Sequence, residues 1–452
     1  MSSLDTSDKP KIKLDSSKRS NSIEKVGLMG PFGGGNLGDA AIQTSMIANL
    51  RKLNPKLEVY GFSIEPNDTE SRHGIKSYPI NKAANSVDYG WWRGTSKSSF
   101  ASKLTDFWLE WKKNTNNLLL RKVGSKIATS ILEVLAWFRS YRSLKQLDLD
   151  LLIVSGGGQL DDYWKGAWGH PFTLLRWCLF AKLNGTKFLI VSVGAAPIDR
   201  SLSKLFTRTT LTLADYRSYR DKDSKKYIER VVGFQKDDPV FTDLAFSLPI
   251  ESYRQSPQDN RHRGIVGIGP MSYCNPNSAW PEKDGEIYSG YLQKLSDFAV
   301  WLSDRNYALA LFPGQTAHDK SAIKDFKALL LQKGVKEEFI IERGILTIDD
   351  LMNQLVDLDF AIASRFHGVL LSLLLNKPTL ALSYHPKIDA LMEDTAQTEY
   401  CLKIDEFEVD VMKAKFNSIV DNRQQIKEQI ANKTQAYKSS LAKQYDYIFQ
   451  NF

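Results

Sequence analysis

Short apolar runs alternate with amphipathic stretches through most of this chain, and this alternation constrains the fold more than any other feature. Residues 26–30 predict a strand and residues 40–53 a helix, with a glycine-rich turn between them. The order then recurs, with strands predicted at 57–63, 151–155, 187–193 and 214–219 and a helix at 171–184. Strands that alternate with helices predict a parallel sheet covered by helices.

A second series of the same kind follows the polar stretch 251–263, which we interpret as a linker. Its predicted strands are 264–269, 307–312, 339–342, 358–363 and 379–383, and its predicted helices are 289–304, 322–332 and 369–375. At 452 residues the chain exceeds what one hydrophobic core usually supports. We therefore predict an α/β protein with two Rossmann-like domains, at 23–250 and 264–400, which face a cleft. A disordered tail (1–22) precedes them. A helical segment (401–452), with one long helix at about 421–447, follows them.

One segment, residues 91–145, departs from this alternation. It contains eleven Lys or Arg residues against three acidic ones and five of the ten tryptophans, and its apolar residues follow a helical period. We predict a basic, aromatic helical insertion in the first domain. Such helices either lie on an anionic membrane surface or pack as a hairpin on their own domain. The sequence leaves both interpretations open.

The charge and the cysteine content of the chain indicate which partners and which compartment suit this protein. The net charge of +8 favours anionic partners such as phosphorylated substrates, acidic glycans or a lipid surface, and is equally compatible with an ordinary solvated basic surface. The three cysteines match neither a disulfide framework nor a metal-ligand spacing, which predicts a reducing compartment and hence the cytoplasm. We expect no metal, no cofactor and no nucleic acid partner. The sequence has no apolar run of the length that spans a bilayer.

The first glycine-rich turn lies between the first predicted strand and helix and includes Gly35, Asn36 and Asp39. Its spacing is neither that of a dinucleotide-binding fingerprint nor that of a Walker loop. Glycines before a helix nevertheless allow a ligand to approach the backbone closely. Asp39 is interpreted either as the helix cap or as a carboxylate in the cleft.

A second turn of the same design follows the strand predicted at 151–155. Gly157 and Gly158 are followed directly by Gln159 and, two residues later, Asp161. Two such turns opening toward one edge of a sheet predict a substrate cleft there. Gln159 and Asp161 either hold sugar hydroxyls or serve turn formation and helix capping.

Cationic side chains occupy the corresponding positions of later strands. Arg220 follows the strand predicted at 214–219, and Arg365 and His367 follow the one at 358–363. Lys387 follows the strand at 379–383, just after Pro386, which suits the first position of a helix. Arginine, lysine and histidine at one sheet edge suit the binding of a phosphate or a carboxylate, and His367 can also move a proton. We expect Arg365 and His367 to share one side of a bend at residues 364–368. The alternative is a buried histidine and a structural arginine.

In these turns and strand ends the sequence resembles the polysaccharide pyruvyl transferases, over most of residues 24–395. The resemblance rests on five motifs: residues 35–39, 155–158, 220–221, 364–368 and 384–387. It implies a GT-B-like two-domain enzyme that transfers the enolpyruvyl unit of phosphoenolpyruvate to a saccharide as a ketal, in polysaccharide or cell-surface glycan synthesis. The N-terminal domain would then bind the acceptor and the C-terminal domain the donor phosphate. Ala40 and His385 stand where this family commonly has acidic residues.

The resemblance also implies roles for individual residues. Arg220, His367 and Lys387 match positions that hold the donor's phosphate and carboxylate, with Arg365 beside them. In the resulting hypothesis His367 assists as a general acid, and Asp39 or Asp161 accepts a proton from the acceptor sugar. The acceptor is a saccharide, free or lipid-linked, and the enzyme would act at the inner face of the plasma membrane if residues 91–145 bind lipid. The alternatives are a GT-B glycosyltransferase with a nucleotide-sugar donor and a non-catalytic glycan- or membrane-binding relative.

Overall fold

The structure is a computed structural model, and it describes residues 23–81, 137–138, 140–163, 165–256, 261–278 and 282–452. Within these ranges the strands form two separate parallel sheets, each flanked by helices. The strands are rich in buried apolar residues; every residue of Leu151–Ser155 and Tyr307–Leu311 is buried. Burial on both faces is what a parallel sheet between two helical layers requires.

The N-terminal half contains seven described strands, in the order β3-β2-β1-β4-β6-β5 with β7 also paired to β6. The strands are β1 (Lys25–Met29), β2 (Glu58–Ser63), β3 (Ser77–Pro79), β4 (Leu151–Ser155), β5 (Gly158–Leu160), β6 (Lys187–Ala195) and β7 (Tyr216–Tyr219). The helices are α1 (Leu37–Leu53), α2 (Pro66–His73), α3 (His170–Leu183), α4 (Ser201–Leu213) and α5 (Lys222–Tyr227). The strand order reverses between β1 and β4, the position at which open α/β sheets bind ligands.

The C-terminal half repeats this plan with the order β10-β9-β8-β11-β12-β13. Its strands are β8 (Gly264–Gly269), β9 (Tyr307–Leu311), β10 (Ile340–Glu342), β11 (Phe360–Ala363), β12 (Thr379–Ser383) and β13 (Cys401–Lys403). Its helices are α6 (Gly285–Ser303), α7 (Asp319–Gln332), α8 (Ile348–Leu355), α9 (Phe366–Leu374), α10 (Pro386–Asp394), α11 (Val409–Asp421) and α12 (Arg423–Asn451). The order reverses between β8 and β11, so α9 begins at the second crevice.

The last helix, α12, connects the two halves. Near its start, the Arg423 guanidinium binds the Asp359 carboxylate in the C-terminal half at 2.7 Å. Near its end, the fully buried Gln444 accepts a hydrogen bond from the Ser192 hydroxyl and donates to Ser218, both in the N-terminal sheet. One continuous apolar cluster includes residues of α12 and of both halves. The helix therefore fixes the two halves against each other.

The α/β fold with two parallel sheets is confirmed, and most predicted elements recur with ends shifted by a few residues. The predicted helical segment 401–452 also contains a strand, β13, which at three residues is too short to be recognised from periodicity. The predicted insertion 91–145 lies almost entirely outside the described residues, as do the tail 1–22 and part of the linker. In the ranges that the structure describes, none of the helices is both long enough and apolar enough to cross a membrane.

Candidate active site

The carboxyl ends of the two sheets meet in a cleft that is closed at one side by backbone contacts. The amide N–H of Thr316 donates to the carbonyl of Gly35 at 2.9 Å, and the amide N–H of Leu37 donates to the carbonyl of Gly314 at 3.3 Å. These bonds join the first glycine-rich turn to the loop after β9. Motifs that lie almost 300 residues apart in the sequence are thereby held in one place.

Asn36 forms the N-terminus of α1. Its side-chain oxygen accepts hydrogen bonds from the backbone amides of Gly38 and Asp39, at 3.0 and 3.3 Å, which is the usual pattern of a helix N-cap. The interpretation of Asp39 as the cap is therefore wrong, because Asn36 occupies that position. The Asn36 amide nitrogen instead donates to the Asp39 carboxylate at 2.8 Å, which holds that carboxylate in the cleft.

Two glycines of this turn allow the close approach of the C-terminal half. A Cβ atom at Gly38 would lie 2.0 Å from Nδ1 of His367, and one at Gly35 would lie 2.2 Å from Oγ1 of Thr316. Any side chain at Gly38 would displace the histidine ring. Gly35 also has a φ of 73°, in the region that favours glycine.

His367 is the second residue of α9, and its ring lies between Gly38 and Asp243. Nε2 is 3.7 Å from Oδ2 of Asp243, is buried, and makes no hydrogen bond to the described residues. Asp243 is almost fully buried and also lies 3.4 Å from Nη1 of Arg220. Burial alone would raise the pKa of Asp243, but the adjacent His367 ring and Arg220 lower it to about 2. Asp243 therefore remains an anion that neutralises part of the positive charge here.

Arg220 and Lys387 approach the same aromatic ring from different halves of the protein. The Arg220 guanidinium carbon lies 5.2 Å and Nζ of Lys387 5.7 Å from the centroid of the Phe366 ring. A Cβ atom at Gly194 would lie 2.5 Å from Nη2 of Arg220, so this glycine leaves room for the arginine. Both cations thus lie at the start of α9, beside His367.

Lys387 is a cation without a close counterion. Burial, followed by repulsion from Arg220 and Arg365, lowers its pKa to about 8. No carboxylate among the described residues lies within ion-pair distance of its Nζ. An anion bound beside Lys387 would relieve this repulsion and favour the charged form.

Asp39 faces the same group of charges. Burial raises its pKa to about 6; His367, Lys387 and Arg220 act in the opposite direction, whereas Asp243 contributes to the rise. A carboxylate with this pKa is mostly ionised at neutral pH and can still accept a proton. Clustered groups with opposed pKa shifts are typical of catalytic sites.

Arg365 has a different environment from its neighbour His367. Its Nη2 donates to Oδ1 of Asp319 at 2.6 Å, and Asp319 is fully buried. The same carboxylate accepts the backbone amides of Gly314 and Gln315, in the loop that contacts the first glycine-rich turn. We expected Arg365 and His367 to share one side of a bend, but the helix begins at Phe366 and the two side chains diverge. Arg365 thus supports the loop that closes the cleft.

The second glycine turn contributes residues from the N-terminal half. Gln159 lies in β5 and is 1% exposed, and its Oε1 lies 2.9 Å from Nε2 of His170. Gly157 has a φ of 69°, and a Cβ atom at Gly158 would meet no atom within 4 Å. Asp161 accepts the amide N–H of Tyr163, and burial raises its pKa, with a further contribution from Asp162. Besides burial, the charges of Arg220, His367, Lys387 and Asp243 act on the pKa of Asp39, whereas the charge that acts on the pKa of Asp161 is that of Asp162.

The sequence analysis missed four residues of this site: Asp243, Phe366, Asp319 and His170. Asp243 follows the short run 240–242, which pairs with β7 through a single bridge between Val240 and Tyr219. A run this short gives no strand signal. The signal that the sequence did offer is an acidic residue directly after a short apolar run. Phe366 lies inside the motif that contains His367, but as an apolar residue it gave no chemical signal.

In the ranges that the structure describes, no three His, Cys, Asp or Glu side chains are grouped as metal ligands would be.

Comparison with known proteins identifies the family. Over residues 36–386, which is most of the chain, the sequence matches the family described as polysaccharide pyruvyl transferase. None of the curated protein sequences matches this one.

Solved structures show the same fold at low sequence identity. MnaA from S. aureus, solved with UDP, has a TM-score of 0.55 at 12% identity, over 93% of this chain and 94% of that chain. A glycosyltransferase from Rickettsia africae has a TM-score of 0.53 at 10% identity, over 96% and 100%. The UDP-GlcNAc 2-epimerase of Neisseria meningitidis, bound to UDP-GlcNAc, has a TM-score of 0.52 at 12% identity, over 93% and 100%. The chain has the GT-B fold and belongs to the polysaccharide pyruvyl transferase family, which makes it a polysaccharide-modifying transferase.

Proposed function

We propose that this protein transfers the enolpyruvyl unit of phosphoenolpyruvate to a saccharide and closes it into a pyruvate ketal. The observation that carries this proposal is the meeting of Arg220, His367 and Lys387 around the Phe366 ring and Asp243. Phosphoenolpyruvate has a phosphate and a carboxylate on one small molecule. A site with several cations and a lysine lacking a close counterion suits such a donor.

The first chemical step is protonation of the donor's methylene carbon. Nε2 of His367 makes no hydrogen bond within the described residues, and we assign the proton that the donor receives to this ring. The Asp243 carboxylate lies 3.7 Å from this nitrogen and balances part of the positive charge in the site. Protonation leaves an oxocarbenium-like carbon, to which a sugar hydroxyl oxygen then bonds. Asp39, with its pKa raised to about 6 mainly by burial, takes the hydroxyl proton.

Loss of phosphate and attack by a second hydroxyl complete the ketal. The bond between the central carbon and the phosphate oxygen breaks, and its electron pair leaves with the phosphate. The acceptor gives up two hydroxyl protons. One restores to the protein the proton that was given to the methylene carbon of the donor, and the other leaves with the phosphate. Arg220 and Lys387 stabilise the charge that collects on the departing phosphate, a contribution of about 3–4 kcal/mol for a well-placed donor in a dry site. Arg365 contributes indirectly, because Asp319 engages its guanidinium and the pair supports the loop after β9.

The decisive experiment is incubation with phosphoenolpyruvate and a panel of saccharides in heavy water. We expect phosphate release, a product heavier than the acceptor by pyruvate minus water, and one deuterium in the new methyl group. The His367→Ala, Lys387→Ala double variant should abolish release, whereas the matched control Lys403→Ala, whose ion pair with Asp389 lies outside the cluster, should not. Full turnover by the double variant would exclude these residues from the mechanism.

A nucleotide-sugar donor is the competing possibility, since the solved neighbours named above include complexes with UDP and UDP-GlcNAc. Ligand-induced thermal shifts separate the two donors, because a ligand stabilises the state that binds it. We expect stabilisation by phosphoenolpyruvate. Stabilisation by UDP or GDP alone would favour the glycosyltransferase alternative. The lipid linkage of the acceptor remains a prediction. The membrane contact of residues 91–145 also remains a prediction, and flotation with anionic vesicles would test it.

A further inference from the structure

Gln159 has a buried amide group that is only half satisfied. The side chain is 1% exposed, and its Oε1 is hydrogen-bonded to the His170 ring. Within the described part of the chain its Nε2 has no hydrogen-bond partner, and this atom is not fully buried, so it lies at an accessible edge of the side chain. An amide N–H without a partner at the edge of a cleft is available to a ligand atom that accepts a hydrogen bond.

His170 determines which end of the Gln159 amide faces the cleft. Burial lowers the pKa of His170 to about 4, so the ring is neutral at physiological pH. A neutral ring can donate through Nε2–H to Oε1 of Gln159, 2.9 Å away. The amide nitrogen then faces the side on which Asp39 lies. This orientation is favourable because an N–H group is attracted to a nearby carboxylate.

Gln159 and Asp39 border the same small space above the backbone of Gly157. The position that a Cβ atom of Gly157 would occupy is 3.8 Å from Nε2 of Gln159 and 4.0 Å from Oδ1 of Asp39. The methyl carbon Cδ1 of Ile42 lies 3.8 Å from the same point. One hydrogen-bond donor and one proton acceptor therefore face a space with an apolar wall, an arrangement that suits a hydroxyl group.

We propose that Nε2–H of Gln159 donates to the acceptor hydroxyl oxygen that Asp39 deprotonates, and that His170 is the positioning residue that holds the amide in this orientation. This inference rests on the proposed function. As the O–H bond breaks, its proton passes to Oδ1 of Asp39 and the oxygen electron pair forms the new bond to the donor carbon. Gln159 stabilises the negative charge that develops on that oxygen.

Three variants separate positioning from a general structural role. Gln159→Glu has the same shape but no N–H, and His170→Phe keeps a ring but loses the donor. His170→Gln restores an N–H group near the original position. The assay uses phosphoenolpyruvate with a mixture of p-nitrophenyl hexosides of gluco, galacto, manno and N-acetylated configuration, and mass spectrometry identifies the ketal products. Donor binding is measured separately, from the thermal shift caused by phosphoenolpyruvate.

We expect Gln159→Glu and His170→Phe to lower kcat/KM for the hexoside by about 10- to 100-fold, with phosphoenolpyruvate affinity unchanged within about twofold. His170→Gln should recover most of the activity. Equal losses in His170→Phe and His170→Gln, or a fully active Gln159→Glu, would overturn the inference while leaving the proposed function intact. Failure of the unaltered protein to bind phosphoenolpyruvate or to form any ketal would instead refute the proposed function.

Discussion

Replacing Asp39 by asparagine should make the protein more stable and less active at the same time. The substitution keeps the shape of the side chain, and an oxygen at this position can still accept the hydrogen bond from the Asn36 amide. It removes a negative charge whose burial raises the pKa to about 6, from an ordinary value of 3.8. A carboxyl group with a raised pKa is a charge that the folded state tolerates poorly.

The magnitude follows from the pKa shift. A rise of about two pH units corresponds to about 3 kcal/mol, at about 1.4 kcal/mol per unit. Because this pKa is higher in the folded than in the unfolded chain, the stability associated with the protonated carboxyl is fully present below about pH 3.8 and is lost as the pH rises through about 6. The Asp39→Asn variant has no such loss. Its advantage in free energy of unfolding should be about 3 kcal/mol near pH 7.5 and about 1.5 kcal/mol near pH 5.

Urea unfolding followed by tryptophan fluorescence, at both pH values, measures this difference. The matched control is Asp410→Asn, at an exposed position in α11, which should change stability by less than about 0.5 kcal/mol. Transfer activity of Asp39→Asn should fall by about 100-fold or more, because the proton acceptor is lost. A variant that is less stable than the unaltered protein, or whose advantage does not depend on pH, would refute the electrostatic reasoning.

Three further predictions concern the cations and the pH dependence. The kcat/KM should rise with pH through about 6, as Asp39 ionises, and fall through about 8, as Lys387 loses its proton, so a flat profile would contradict both assignments. Lys387→Gln should weaken phosphoenolpyruvate binding at least about tenfold in calorimetry, whereas Lys403→Gln should not; equal effects would show that overall charge, not position, matters. Arg365→Leu should lower the free energy of unfolding by about 3–5 kcal/mol, because it leaves the buried Asp319 carboxylate unpaired, and a neutral effect in urea unfolding would remove its structural role.

The sequence predicted the fold well because its strands are local and strongly apolar. The ranges 151–155, 264–269 and 379–383 match the observed strands at both ends, since each run is mostly or entirely buried and ends at a polar or glycine position. The helix α1 begins three residues earlier than expected, because Asn36 caps it and the glycine at position 38 is helical. A strand of three residues, such as β13, forms because it pairs with a neighbouring strand, and its own sequence gives little signal for it.

The site was only partly predictable, because position along the chain does not determine where side chains point. Arg365 and His367 follow the same strand, yet one binds Asp319 and the other faces Asp243. Neither acid lies in a motif that the sequence analysis recognised, and both act only through tertiary contact. Asp39 and Asp161 could not be ranked from sequence, whereas the structure couples Asp39 to the cations through space.

Calorimetry of phosphoenolpyruvate binding, in buffers of different ionisation enthalpy, tests most directly whether Arg220, His367 and Lys387 surround one bound anion. Burial and the neighbouring arginines lower the pKa of Lys387 to about 8, so near pH 8 about half of the free protein has this amine uncharged. The bound anion should restore the charge of Lys387, and we predict binding accompanied by uptake of about half a proton or more per site. Absence of binding, or binding without proton uptake at this pH, would contradict the account.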